Sequence, residues 1–140
     1  MTERAEPKQG LRPVLTSTEA QLFVADITAS CEFYTEKLGF TVAFVYGEPP
    51  NYGQVTRDHG TLNLRVVGEP VFAGDVQQRE ELLSATLTIG SADEIKQLFL
   101  DYESAGVRFA QTLKKQPWGA WTFVVRDPDG NLILFAGPAD

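Results

Sequence analysis

The chain has 140 residues, 43% of them hydrophobic and 22% charged, a composition typical of one soluble globular domain. Nineteen acidic and 12 basic residues give a net charge of −7, which argues against a nucleic-acid partner, because such a protein needs a basic surface to displace counterions. There is no apolar stretch of the roughly 20 residues that cross a bilayer, no signal-peptide core before Pro13 and only one cysteine, Cys31, so we expect a cytoplasmic protein without a membrane partner.

The first half of the chain predicts a tail followed by a βαβββ unit. Residues 1–13 are polar and charged, and the segment 1–16, which contains two prolines, is interpreted as a flexible tail or an arm that packs on a second subunit. A strand follows, with Ala20, Leu22 and Val24 on one face and Glu19, Gln21 and Phe23 on the other. The next predicted elements are a helix over 28–38 with a buried stripe and a glycine stop, then strands over 40–46, 52–56 and 61–67.

The second half predicts the same succession after a linker over 68–81. A strand over 82–89 is followed by Ser91 and Glu94, whose spacing is typical of a capping box at a helix start. The helix ends at Gly106, and strands over 107–112, 121–125 and 132–135 complete the unit.

The two halves share landmarks at a nearly constant distance. Asp26 and Asp93 lie 67 positions apart, as do Gly39 and Gly106. Such a duplication predicts two similar half-sheets with a ligand cleft between them. We therefore predict one α+β domain over 17–137, in which two βαβββ modules (17–67 and 82–137) form a curved mixed sheet around a cleft, with the helices outside.

Two segments resemble the vicinal oxygen chelate superfamily, which includes glyoxalase I, extradiol dioxygenases, fosfomycin-resistance enzymes and bleomycin-resistance proteins. The segment 26–34, followed by Leu38-Gly39-Phe40, resembles the first helix of that superfamily, and 126–131 resembles the turn before its last strand. The match covers about residues 16–137 and implies the same fold. It leaves the activity open, because one fold hosts several chemistries and some pure binders.

The resemblance also implies where a metal would bind, because catalytic members hold a divalent ion on the first and last strands of each module. The first such position falls at Glu19, and Gln21 lies on the same face. In the second half, Ser84 or Thr86 and then Leu134 occupy the corresponding positions. One carboxylate with weak neutral donors cannot hold a divalent ion against its hydration, so we expect no metal and no cofactor.

Two further details concern the same positions. The counterpart of Leu134 in the first half is either Asn63 or Leu64, depending on the alignment of the shorter turn. The only histidine, His59, falls in that turn, and we expect it to be solvated rather than to bind a metal.

The remaining cleft candidates are aromatic residues with a few polar side chains that could direct a ligand. They are Phe44, Tyr46, Asn63, Arg65, Trp118, Trp121 and Phe123. Flat aromatic walls suit a planar small molecule, since stacking adds roughly 0.5–1.5 kcal/mol per pair beyond burial. The alternative for each aromatic residue is a place in the core; Trp118, beside Gly119, is the strongest site candidate.

The run 52–58 ahead of 62–64 looks most like the bleomycin-resistance branch. That resemblance implies a metal-free homodimer that sequesters an aromatic, often cationic, drug, and the negative charge of this chain favours a cationic ligand. The alternative is a divalent-metal-dependent lyase, isomerase or dioxygenase that uses Glu19 and Gln21. A third hypothesis is a structural or regulatory module with a filled cleft.

Overall fold

The computed structural model describes residues 5–72 and 74–140 and contains two four-stranded mixed sheets. The first sheet has the order β1-β4-β3-β2 and is built from β1 (Ala20–Val24), β2 (Thr41–Tyr46), β3 (Tyr52–Arg57) and β4 (Gly60–Val66). The second has the order β5-β8-β7-β6 and is built from β5 (Ala85–Thr88), β6 (Arg108–Lys115), β7 (Trp121–Arg126) and β8 (Leu132–Gly137). Each first strand runs parallel to the last strand of its own sheet. The identical strand order confirms the predicted α+β fold of two βαβββ modules.

Each module carries one main helix after its first strand. Helix α1 (Ile27–Glu32) begins at Asp26, whose carboxylate accepts from the Ala29 amide at 2.8 Å, and it continues as a π-helical turn over Phe33–Lys37. Helix α3 (Ala92–Ser104) begins at the predicted capping residue, because the Ser91 hydroxyl accepts from the Glu94 amide at 3.1 Å. Between the modules lies a short helix, α2 (Val76–Arg79), in the segment predicted as a plain linker.

The strands alternate as their sequences predict, and this gives each sheet two distinct faces. We call the face that packs against the helices the inner face and the opposite one the open face. In the first sheet Leu22, Val55 and Leu62 lie on the inner face and are buried. The partners Gln21 and Asn63 point to the open face. The inner faces of both sheets contribute to a single hydrophobic core.

Hydrogen bonds from the turn before β8 join the second module to the first. The Tyr34 hydroxyl of the α1 segment donates to Asp127 Oδ2 at 2.9 Å. Asn131 Nδ2 donates to the Phe23 carbonyl at 3.1 Å, and Asp129 Oδ1 accepts from the Ala25 amide at 2.9 Å. The turn therefore fixes the second module against β1 and α1 of the first.

Residues 5–19 form neither a helix nor a strand and are exposed. In the part of the chain that the structure describes, no helix is both long and apolar enough to cross a membrane.

Candidate functional site

A network of polar side chains covers part of the open face of the first sheet. Glu19 Oε1 accepts from Gln54 Nε2 and from Asn63 Nδ2, both at 3.2 Å. Gln54 Nε2 also donates to Asn63 Oδ1 at 2.9 Å. Because Gln54 and Asn63 are cross-strand partners on β3 and β4, the sheet itself fixes the orientation of both amides.

Aromatic side chains continue the same face toward the edge of the sheet. The rings of Phe44 and Tyr52 stack with their centroids 6.1 Å apart and their planes 17° apart. Tyr46 is the cross-strand partner of Tyr52 and is 71% exposed. The Tyr52 hydroxyl donates to Gln21 Oε1 at 3.1 Å, which links the aromatic side chains to β1. Arg65, also exposed, is the partner of Tyr52 on β4.

The structure thus brings four of the predicted ligand contacts and both metal candidates onto one surface, which we call the open-face cluster. It consists of Glu19, Gln21, Phe44, Tyr46, Tyr52, Gln54, Asn63 and Arg65. The sequence interpretation missed Tyr52 and Gln54 as members. The hairpin turn at 58–60 sets the register between β3 and β4, which pairs Tyr52 with Arg65 and Gln54 with Asn63. This register could have identified both residues from the sequence.

Two of the predicted ligand contacts, Trp121 and Phe123, have their side chains on the inner face of the second sheet. Phe123 is fully buried, and its ring stacks on Phe135 with the centroids 5.0 Å apart. Trp121 is two residues away on the same strand and therefore points the same way. Lys96 Nζ lies 4.5 Å from the centre of the Trp121 ring, and the indole nitrogen of Trp121 donates to Asp140 at 3.2 Å.

Trp118 occupies a different position from the other two aromatic residues of its segment. It lies in the turn between β6 and β7 of the second module and is 74% exposed. The turn is closed by the Gln116 amide, which donates to the Ala120 carbonyl at 2.7 Å. The exposed ring is thus free to contact a ligand or another protein. It belongs to the second module, whereas Phe44 and Tyr46 lie on β2 of the first sheet.

The positions that the resemblance assigns to a metal carry one carboxylate, a neutral hydroxyl and a hydrocarbon side chain. Thr86 is paired with Leu134 across β5 and β8, so a hydrocarbon side chain occupies the last-strand position. The Glu19 carboxylate already accepts from two amides, and the Gln21 oxygen accepts from Tyr52. Within 5–72 and 74–140, no three His, Cys, Asp or Glu side chains come together as a metal site would require.

The register also settles which residues correspond between the modules. Gln21 pairs with Asn63 on β4 as Thr86 pairs with Leu134 on β8, so Asn63 is the counterpart of Leu134. Leu64 is fully buried on the inner face. Ser84, the alternative to Thr86, precedes β5 and donates its hydroxyl to Asn131 Oδ1 at 3.1 Å.

Burial changes the pKa of two titratable groups outside the cluster, Cys31 and Asp127. Burial raises the pKa of the Cys31 thiol, which disfavours the nucleophilic thiolate. Burial also raises the pKa of Asp127, even though hydrogen bonds from Asn131, Tyr34 and the backbone favour its charged form. Asp127 is thus a structural carboxyl that organises its turn. His59 is exposed in the β3–β4 turn, as predicted.

The fold is similar to that of several solved structures. A glyoxalase/bleomycin resistance protein/dioxygenase from Alicyclobacillus acidocaldarius is 19% identical with a TM-score of 0.72, covering 93% of this chain and 96% of that one. The bleomycin-binding protein of Streptomyces verticillus, solved with copper(II)-bleomycin, is 20% identical with a TM-score of 0.67, covering 92% and 99%. TioX from Micromonospora sp. ML1 is 20% identical with a TM-score of 0.66, covering 87% and 98%.

No curated protein matches the sequence. The solved structures above show a shared fold, and at this level of identity they show no more than that. The model of one protein family matches residues 16–135, which is most of the chain. The chain therefore belongs to the glyoxalase/bleomycin resistance protein/dioxygenase superfamily.

Proposed function

We propose that this protein binds a planar aromatic small molecule on its open-face cluster and sequesters it without a metal. The observation that carries the proposal is the exposed stack of Phe44 on Tyr52 beside a fixed network of amides. The aromatic rings offer a flat apolar surface, and the amides offer directed donors and acceptors. This combination of apolar walls with a few placed polar groups is typical of small-molecule sites.

The Glu19 carboxylate and the net charge of the chain favour a ligand with a positive group, although Arg65 balances Glu19 within the cluster itself. The Glu19 carboxylate is exposed and is held by amides rather than by a basic side chain. The net charge of −7 attracts cations over a longer range, although salt screens that attraction. We therefore expect cationic aromatic compounds to bind more tightly than neutral ones of the same shape.

Sequestration, rather than catalysis, is supported by the donors at the family's metal positions. Leu134 supplies no oxygen or nitrogen, and Thr86 supplies a neutral hydroxyl. A divalent ion that acts as a Lewis acid needs several strong ligands and an open coordination position. A ligand on the open-face cluster would thus be bound without a divalent ion to activate it.

The edge of the first sheet supports the predicted homodimer. Strand β2 ends the strand order, and all six of its residues are exposed. Phe44, Val45 and Tyr46 give this edge an apolar character, which a soluble protein usually covers. We propose that a second copy packs near this edge and encloses the ligand, and sedimentation measurements test the oligomeric state.

A thermal-shift screen with planar aromatic compounds, in cationic and neutral pairs, tests the function. A ligand of the native state raises the melting temperature according to its concentration and affinity. Phe44→Ala should weaken binding about tenfold or more, since a lost stacking contact and its burial are worth roughly 1.5 kcal/mol or more.

The matched control is Leu100→Ala, because Leu100 is an exposed apolar residue of α3, away from both the open-face cluster and the edge at β2. We expect it to leave the affinity within about twofold, as its side chain does not join the polar and aromatic cluster. Equal weakening by both variants, or turnover of the bound compound, would count against the proposal.

A further inference from the structure

A groove of about 720 Å³ lies between the two modules and is separate from the aromatic part of the open-face cluster. Its floor is apolar: Ala20 and Leu62 come from the first module, and Leu87, Leu98 and Phe135 come from the second. Neither Phe44, Tyr46, Asn63 nor Arg65 lines it. The volume falls within the roughly 300–1,000 Å³ of sites that bind drug-sized molecules.

The rim of this inter-module groove is acidic. Helix α3 turns Glu94, Gln97 and Asp101 toward it, at the spacing that places side chains on one helix face. Asp58 of the β3–β4 turn and Glu19 add two more carboxylates. Charge on the rim therefore comes from both modules.

One guanidinium, that of Arg57, lies among these carboxylates, and it already donates hydrogen bonds to other groups of the protein. Arg57 Nη1 donates to the Leu38 carbonyl at 2.8 Å and to the Tyr102 hydroxyl at 3.3 Å. Its contact with Asp58 is long, at 4.0 Å, and exposed. Four carboxylates against one guanidinium leave the lining residues with a formal charge of −3 when His59 is neutral.

The second module has a turn equivalent to the one at Gly60, and linker residues of this chain cover it. The turn at Gly130, which matches the turn at Gly60, accepts a hydrogen bond from Gln77 Nε2 at 2.7 Å. Phe72 of the same linker lies beside Gly130. The linker residues ahead of β5 thus fill the space beside the turn at Gly130. The space beside the turn at Gly60 is instead part of the groove.

We propose that the inter-module groove binds a drug-sized organic cation with an apolar body, as a second site that shares only Glu19 with the open-face cluster. The apolar floor buries the body of the molecule, and the carboxylates on the rim stabilise its charge. Their attraction is stronger in a partly enclosed groove than on an open surface, because less water screens it.

Two soluble probes of similar shape test this site: tetraphenylphosphonium, a cation, and triphenylphosphine oxide, which is neutral. Calorimetry gives the affinity of each. The imidazole signals of His59, the only histidine, report by NMR whether the probe enters the groove that this residue lines. We expect saturable shifts with the cation and at least about tenfold weaker binding of the neutral probe.

Paired charge variants on α3 separate a local effect from a general one. Glu94→Gln with Asp101→Asn should weaken binding of the cation about three- to tenfold, as two partly exposed charges are removed. Asp93→Asn with Glu103→Gln removes the same charge from exposed positions of α3 that do not line the groove, and we expect less than about a twofold change.

Four results would overturn the proposal, the last of them given by the Phe44→Ala variant. One is the absence of saturable shifts at His59, and another is equal weakening by both charge pairs. The third is tighter binding by more than about threefold in a Val14→Ser, Leu15→Ser variant, because the exposed tail residues would then be the natural occupants of the groove. Unchanged affinity for tetraphenylphosphonium in Phe44→Ala would support a separate site, and its loss would contradict one.

Discussion

Tyr34 and Tyr102 hold equivalent places in the two modules, 68 residues apart, and the hydroxyl of each bonds to the other module. Tyr34 donates to the Asp127 carboxylate at 2.9 Å. Tyr102 donates to the Leu38 carbonyl at 2.8 Å and accepts from Arg57 at 3.3 Å. Both rings are buried. The internal duplication therefore produces a reciprocal pair of contacts that fixes one module against the other.

The two hydroxyl groups should differ in their contributions to stability. Tyr34→Phe removes a bond to a buried carboxylate and should lower the free energy of unfolding by about 1.5–3 kcal/mol, the range for hydrogen bonds to charged groups. Tyr102→Phe removes a bond to a neutral carbonyl and should cost about 1 kcal/mol. Urea unfolding of both variants checks this order, and an equal or reversed order would contradict it.

Alkaline pH should weaken the fold partly through Tyr102. Burial raises the pKa of this phenol from 10 to about 12, despite the opposing effect of Arg57. The folded state thus keeps the proton where the unfolded state loses it, so the stabilisation is complete below pH 10 and is lost as the pH rises through about 12.

The expected contribution of that proton reaches up to about 3 kcal/mol, since each pKa unit corresponds to about 1.4 kcal/mol. Tyr102→Phe should therefore show a shallower fall in the free energy of unfolding between about pH 10 and 12 than the unaltered protein. Urea titrations at several pH values measure both slopes. Parallel slopes would mean that the phenol does not carry this dependence.

Gly137 allows α3 to approach the end of β8. A Cβ added there would lie 2.8 Å from Ile95 Cγ2 and 3.3 Å from the Ser91 carbonyl oxygen. Gly137→Ala should therefore cost about 1–3 kcal/mol by overpacking, and Ile95→Leu in the same chain should recover part of that loss, because leucine has no second γ carbon on its Cβ. Gly68→Ala is the matched control, because a Cβ at Gly68 meets nothing within 4 Å. Thermal unfolding should rank these variants together with the single Ile95 variant, and full additivity of the Gly137 and Ile95 changes would argue against the contact.

The sequence predicted the architecture well because the repeated pattern depends on local rules. Alternation along β1 separated Leu22 and Val24 from Gln21, and Gly39 and Gly106 take the positive φ angles, +77° and +78°, expected of helix ends. The π-helical turn and α2 were not predicted, and α2 depends on contacts with residues distant in sequence. The hydrogen bond from Gln77 of α2 to Gly130, 53 residues away, is one such contact.

The site was predicted only in part because aromatic residues suit both a core and a ligand site. Phe44 and Phe123 are equally apolar, yet the first is 43% exposed on an edge strand and the second is buried among other rings. What separates them is the position of each strand in its sheet and the face that packs on the helix. Neither is a local property of the sequence, whereas the pairing of Asn63 with Gln54 follows from the hairpin register.

Removal of metal should leave the protein and its ligand binding unchanged. Glu19 is the one carboxylate at the positions that resemble the family's ligands, and it is joined there by Thr86 and by the hydrocarbon of Leu134. Such a set cannot replace the hydration shell of a divalent ion. Dialysis against EDTA should therefore shift the melting temperature by less than about 1 °C, because a ligand that does not bind the native state does not stabilise it.

The same treatment should leave the affinity for an aromatic ligand within about twofold, since the open-face cluster binds through stacking and amide hydrogen bonds. Metal analysis of protein purified without chelator provides the control, with far less than one divalent ion expected per chain. A stoichiometric ion whose removal abolishes binding would restore the metal-dependent enzyme as the better hypothesis. In that case Glu19→Gln should release the ion, because it removes the one anionic donor at those positions.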